Sequence, residues 1–185
     1  MYKRQEYELH TVAALAREAR RDPLDFMLDL ALAEDLDTVF NALLLNSDEE
    51  AVGRMLRDPC SLVSLSDAGA HLTFFNDAAF GLHLLGHWSR ERGVLTLAQA
   101  AWRLTGHPAR VFGIRERGAL KPGYFADLLL FDPATVNRGA NRRVFDLPAG
   151  QPRLMASAVG VHGVWVNGVR SAEQLSGRVL RDFAP

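Results

Sequence analysis

Apolar residues recur at helical spacing through residues 11–20, with Val12, Leu15, Ala16 and Ala19 falling on one face. Asp22-Pro23 then puts a capping carboxylate directly before a proline at the first helical position. The helix this predicts carries Leu24, Met27, Leu28, Ala31 and Leu32, an apolar face suited to packing on a sheet. Residues 39–45 form a short apolar run of the kind buried on both faces of a parallel sheet. Ser47-Asp48-Glu49-Glu50 reads as a capping box led by Ser47. Its helix presents Val52, Met55 and Leu56 and stops at Asp58-Pro59. Residues 61–66 are a second buried strand, leading into Ser66-Asp67-Ala68-Gly69-Ala70-His71. This strand–helix–strand rhythm predicts an α/β fold with a parallel sheet.

Two further helices are expected over residues 77–91 and 96–112, the second opened by a Thr96/Gln99 capping box and closed by Gly113. After Gly118 the pattern changes. Lys121-Pro122-Gly123-Tyr124 fits a type II turn, and residues 126–131 a strand closed by Asp132-Pro133. Asn167-Gly168, between Val164-Trp165-Val166 and Val169, is a two-residue hairpin signal. Residues 133–153 are polar and rich in glycine and proline, and read as a surface excursion. The predicted organisation is one body over residues 1–115 and a strand-rich one over 116–185.

Composition narrows the functional classes. The chain has 185 residues, and its 21 Lys+Arg stand against 22 Asp+Glu, a net charge of -1. That balance lacks the basic excess expected of a nucleic-acid binder. No apolar run approaches the ~20 residues that cross a bilayer, so no membrane association is expected. A single cysteine, Cys60, leaves no intrachain disulfide and no cysteine-cluster zinc site, and it reads as buried filler. The expectation is a protein of a reducing compartment, the cytoplasm.

Among candidate chemical groups, Asp67 stands out because it follows a predicted buried strand in a small-residue loop. Catalytic groups collect at that edge of parallel α/β proteins, and a carboxylate there can bind a metal or take a proton from water. A turn-stabilising or capping role for Asp67 stands equally. His71 lies four residues on and could face the same pocket, although a solvated loop histidine is the commoner case. His83 and His87 have the spacing that lets two imidazoles share a metal, but Leu84 stands where a zinc protease has glutamate. His107, His162 and the three tryptophans read as structural. No Walker loop, Gly-x-Gly-x-x-Gly fingerprint or Gly-x-Ser-x-Gly elbow occurs.

Three blocks in order give the chain a resemblance to the C-terminal part of metal-dependent amidohydrolases, in the D-aminoacylase (N-acyl-D-amino-acid deacylase) branch. They are Leu62-Val63-Ser64-Leu65-Ser66-Asp67-Ala68, Thr105-Gly106-His107-Pro108-Ala109-Arg110-Val111-Phe112-Gly113, and the segment from Gly118 through Lys121-Pro122-Gly123-Tyr124-Phe125-Ala126-Asp127 to Asp132. The Val164-Trp165-Val166-Asn167-Gly168 hairpin fits the family's C-terminus, and the match runs from about Leu9 onward. The resemblance implies the last strand–helix units of a TIM barrel, with strands at 39–45 and 61–66, followed by strands of a small β-sandwich domain. A whole barrel takes ~250 residues, so an N-terminal half of the barrel would have to come from elsewhere.

It further implies a hydrolase of non-peptide C–N bonds in N-acyl amino acids or related amides, using one or two zinc ions. In that scheme Asp67 is the catalytic acid–base and a candidate metal ligand, and His71 is a candidate substrate contact. The other metal ligands lie outside this chain, since none of its six histidines forms His-x-His. On that basis the isolated chain is expected to be inactive. The family's carboxylate-holding arginine after the aspartate has no counterpart, because residues 68–89 contain no Arg or Lys. The rival expectation is a non-catalytic assembly module that complements a separate N-terminal half. A homo-oligomer is open under either reading.

Overall fold

In the computed structural model of the chain, the structure describes residues 7, 10–42, 45–63, 66–171 and 174–181. Its first helices start where local chemistry dictates. Thr11 caps α1 (Val12–Glu18) by accepting from the Ala14 amide. Asp22 caps α2 (Pro23–Ala33), its carboxylate accepting from Leu24 and Asp25. Here Leu30 is the buried leucine, whereas Leu24, Leu28 and Leu32, on the face expected to pack on a sheet, are exposed. Helix α3 (Glu49–Arg57) is capped by Asp48, which accepts from Glu50 and Ala51. The expected Ser47 capping box therefore does not form, and the cap moves one residue on to Asp48, whose carboxylate is the stronger acceptor for amides at a helix N-terminus.

Among the described residues, no part of the two expected barrel strands is paired. Residues 39–42, 45, 61–63 and 66 carry no strand; residues 43–44 and 64–65 lie outside the described residues. Val39 is 72% and Leu45 84% exposed. A parallel strand exists through hydrogen bonds to its neighbours, and every strand pair among the described residues is antiparallel. The apolar run alone marks what such a strand would bury, not what lies beside it.

Helix α4 (Phe80–His83) passes directly into a π-helical stretch, Leu84–Glu91, wider than the plain helix expected there. The Thr96/Gln99 capping box forms and opens α5 (Leu97–Leu104). The single helix expected over 96–112 breaks at Thr105 (φ -130°, ψ -84°), and α6 (Gly106–Val111) follows. Pro108 has no amide to donate to the carbonyl four residues back, which accounts for the break.

Strands come next: β1 (Leu128–Phe131), β2 (Asn137–Arg138), β3 (Arg142–Val144), β4 (Arg153–Met155), β5 (Ala158–Val159), β6 (Val161–Val166) and β7 (Val169–Arg170). They form a β1-β6-β7 sheet and two ribbons, β2-β5 and β3-β4. The excursion over 133–153 is thus built into ladders. At the Lys121–Tyr124 turn, Tyr124 N–H donates to the Lys121 carbonyl at 3.1 Å and Gly123 takes φ 86°. Asn167 (φ 50°) and Gly168 (φ 82°) close the β6–β7 hairpin. Arg117 locks this region by pairing with Asp127, donating to Asn167 Oδ1 at 2.7 Å and lying 4.2 Å over Phe125. Burial by itself would raise the Asp127 carboxyl, but the Asn167 amide and the Arg117 guanidinium outweigh it and hold the group below its usual value.

The chain divides into two compact units, Met1–Ser47 and Asp48–Pro185. The core of the second unit gathers Leu84, Leu85, Trp88, Leu95, Ala100 and Val136. Buried Arg103 donates to the carbonyls of Ser61 (2.7 Å) and Asp58 and sits 3.2 Å from His107 Nδ1. This ties α5 to the turn before residues 62–66. Among the described residues no helix is long and apolar enough to cross a membrane.

Candidate functional site

Asp67 lies just past the 61–66 segment, on an exposed loop whose backbone is unusual. Asp67 (φ 50°), Gly69 (φ 97°) and His71 (φ 48°) all adopt left-handed conformations. Asp and His tolerate that region better than most side chains, but such residues persist only where surroundings hold them. Local bonds do part of this. The Ala68 amide donates to Ser66 Oγ (3.2 Å), the Ala70 amide to the Asp67 carbonyl (2.9 Å), and the Phe74 and Phe75 amides to the His71 carbonyl (3.0 Å each). No protein donor reaches the Asp67 carboxylate among the described residues, so it is accessible and uncommitted.

His71 stacks on Phe74, with ring centroids 5.1 Å apart and planes at 23°. It is exposed, and its polar contacts are through its backbone carbonyl. The structure thus places Asp67 and His71 on one loop without a hydrogen bond joining them.

The loop's outer hold comes from the excursion and from β4, which follows it. The Leu154 amide donates to the Leu72 carbonyl (2.8 Å) and Arg143 Nη1 to the Thr73 carbonyl (3.0 Å). Asn76 Nδ2 donates to Asn141 Oδ1 (3.0 Å), which also accepts from Arg138 Nη2 (2.9 Å). The sequence reading missed these residues. The nearest signal along the chain is the cluster Arg138, Arg142, Arg143 and Arg153, in a stretch that reads as surface.

The His83/His87 pair does not form a metal site. Their rings stack at 4.8 Å and 7°. His87 Nε2 meets Glu49 Oε1 at 2.8 Å and Nδ1 meets Glu91 Oε2 at 3.2 Å, so carboxylates occupy both nitrogens. Burial, then the neighbouring His87 and Arg138 charges, lower the His83 pKa below its ordinary value. Cys60, expected to be buried, is exposed, at the end of the turn after α3. Apolar character is a poor guide for a residue placed in a turn.

Among the described residues no three His, Cys, Asp or Glu side chains converge on a metal position. Asp67 fits a zinc ion as one hard oxygen ligand of the roughly four that zinc takes.

Residues 2–172 match the Amidohydrolase family, a match that begins ahead of Leu9. The D-aminoacylase of Alcaligenes xylosoxydans xylosoxydans is 45% identical over 85 residues, 46% of this chain and 16% of that protein. The N-acyl-D-glutamate deacylase of the same organism is 34% identical over 149 residues, 76% of this chain and 28% of that protein. The crystal structure of N-acyl-D-glutamate deacylase from Bordetella bronchiseptica contains zinc and a phosphonate inhibitor that mimics the tetrahedral intermediate. It superposes with a TM-score of 0.50 at 30% identity, covering 94% of this chain and 33% of that one. The chain thus spans a third or less of the length of these relatives.

Proposed function

Because this chain belongs to the amidohydrolase family, we propose that it forms the C-terminal part of a zinc-dependent hydrolase of non-peptide C–N bonds, acting on N-acyl amino acids or related amides. In this reading residues 1–115 are the last strand–helix units of a TIM barrel and residues 116–185 belong to a small β-sandwich domain. Segments 39–45 and 61–66 become barrel strands once neighbours flank them. The exposed, unpartnered cysteine suits a cytoplasmic protein.

The observation that carries the reading is the free carboxylate of Asp67, presented on a loop of left-handed residues within a chain resembling D-amino-acid deacylases. Asp67 takes the proton from the attacking water and returns it to the leaving amine, and its second oxygen is free to serve as a metal ligand. Zinc, when bound, supplies a polarised amide carbonyl and a water of lowered pKa. His71, exposed on Phe74 four residues later, is the candidate substrate contact. The remaining metal ligands belong to an N-terminal half of the barrel.

The test is hydrolysis of N-acetyl-D-amino acids with zinc, by the 185-residue chain alone and joined to an N-terminal barrel half. The chain alone should bind little zinc and turn over nothing. In the joined protein Asp67→Ala should lower kcat by ~100-fold or more. Normal turnover in that variant would remove Asp67 from the chemistry.

The exposed Leu24, Leu28 and Leu32 stripe of α2 favours a second reading, a non-catalytic module that completes another chain. A joined assembly that forms, takes up zinc and hydrolyses no amide would decide for it.

A further inference from the structure

We propose that the β3–β4 hairpin is the positioning element of the Asp67 loop, with Arg143 as its main positioning residue. Arg143 and Leu154 face each other in the antiparallel register. From that one cross-strand pair, the Leu154 amide and the Arg143 guanidinium reach two successive loop carbonyls, Leu72 at 2.8 Å and Thr73 at 3.0 Å. Asn141, just before β3, adds a third attachment at Asn76. The loop therefore lies along the outer edge of a two-stranded ladder, much as an added strand would.

Three features make this a positioning device. The hairpin is itself braced by Arg153, whose Nε and Nη2 meet Asp146 Oδ1 and Oδ2 at 2.7 and 2.8 Å, a two-pronged pair with fixed geometry. The loop's left-handed Asp67 and His71 need external support, and its own bonds span at most four residues. Residues 68–89 hold no Lys or Arg, and Arg143 is the one cation hydrogen-bonded to this loop among the described residues. A catalytic carboxylate must be held to a fraction of an ångström, and residues 65–82 positions away in sequence supply that hold. The consequence for turnover rests on Asp67 being the acid–base.

Hydrogen–deuterium exchange at the Ala70, Phe74 and Phe75 amides tests the proposal in the 185-residue chain, with β6 amides as the control for global stability. Arg143→Ala should speed loop exchange by about tenfold or more, the effect of losing a charge-assisted hydrogen bond, and leave β6 unchanged. Arg143→Lys should recover part of the protection, and Asn141→Ala should loosen the loop to a smaller extent. Loop exchange identical to wild type in Arg143→Ala overturns the proposal, as does loosening spread equally through β6. In the joined, zinc-loaded protein the same variant should lower kcat more than it changes KM. A loosened loop with unchanged kcat would separate the hairpin from catalysis. An inactive wild type would count against the amide-hydrolase reading alone, because the exchange result stands without it.

Discussion

His83 shows how one side chain couples to the fold without joining the chemistry. It is half-buried, stacked on His87 and edge-on to Trp88, and both burial and neighbouring positive charge disfavour its imidazolium. Since its folded pKa lies below 6.5, the unfolded chain binds the extra proton first as pH falls. Its stabilising contribution is therefore complete above pH ~6.5 and is lost as pH drops through the depressed folded value. Thermal unfolding followed from pH 7.5 to 5 should show a falling midpoint, and His83→Phe should flatten that slope. An unchanged slope would assign the acid sensitivity to other groups. The carboxylates Asp127 and Asp146, also depressed, act in a separate window, below their ordinary value of 3.8. At this scale the loop position of Asp67 after an apolar run can be read along the chain, because it is a local pattern, while its role belongs to the proposal. Arg143 was not legible, because nothing near it in sequence names Thr73 as its partner.

Among the elements, the π-helical stretch Leu84–Glu91 shows what close packing demands. A Cβ on Gly86 would lie 2.6 Å from the Val136 carbonyl oxygen and 2.6 Å from Asn137 Cγ, where Arg90 Nη1 also donates to that oxygen at 2.6 Å. Gly86→Ala must push β2 away or strain the helix, at a cost of about 1–3 kcal/mol. Denaturant unfolding should report that loss, whereas Gly93→Ala, with nothing near its Cβ position, should lose only what its φ of 61° imposes. Equal losses would show that the crowding at Gly86 is relieved at no cost. A helix over residues 77–91 is expected from the sequence, but its widened turns are not. Hydrophobic periodicity reports which side faces the core, and it carries no signal for an extra residue per turn.

For the whole molecule, the exposed α2 stripe and the unpaired 39–42 segment carry the same message. Leu32 is 65% and Val39 72% exposed, on surfaces that the apolar pattern marked for burial. Light scattering of the purified chain should therefore detect self-association, and Leu28→Glu with Leu32→Glu should reduce it. A monodisperse wild type would mean the stripe is tolerated in water. Residues within a few positions of one another settled the Asp22 cap, the Thr96/Gln99 box, the Pro122-Gly123 turn and the Asn167-Gly168 hairpin. Their causes are steric limits on φ and hydrogen bonds that close within one turn, so they can be read along the chain. Strand pairing at 39–45 and 61–66, the burial of the α2 leucines and the grip of Arg143 on the Asp67 loop depend on groups distant in sequence. Those belong to the folded molecule, because hydrogen-bond partners and excluded water are properties of neighbours in space.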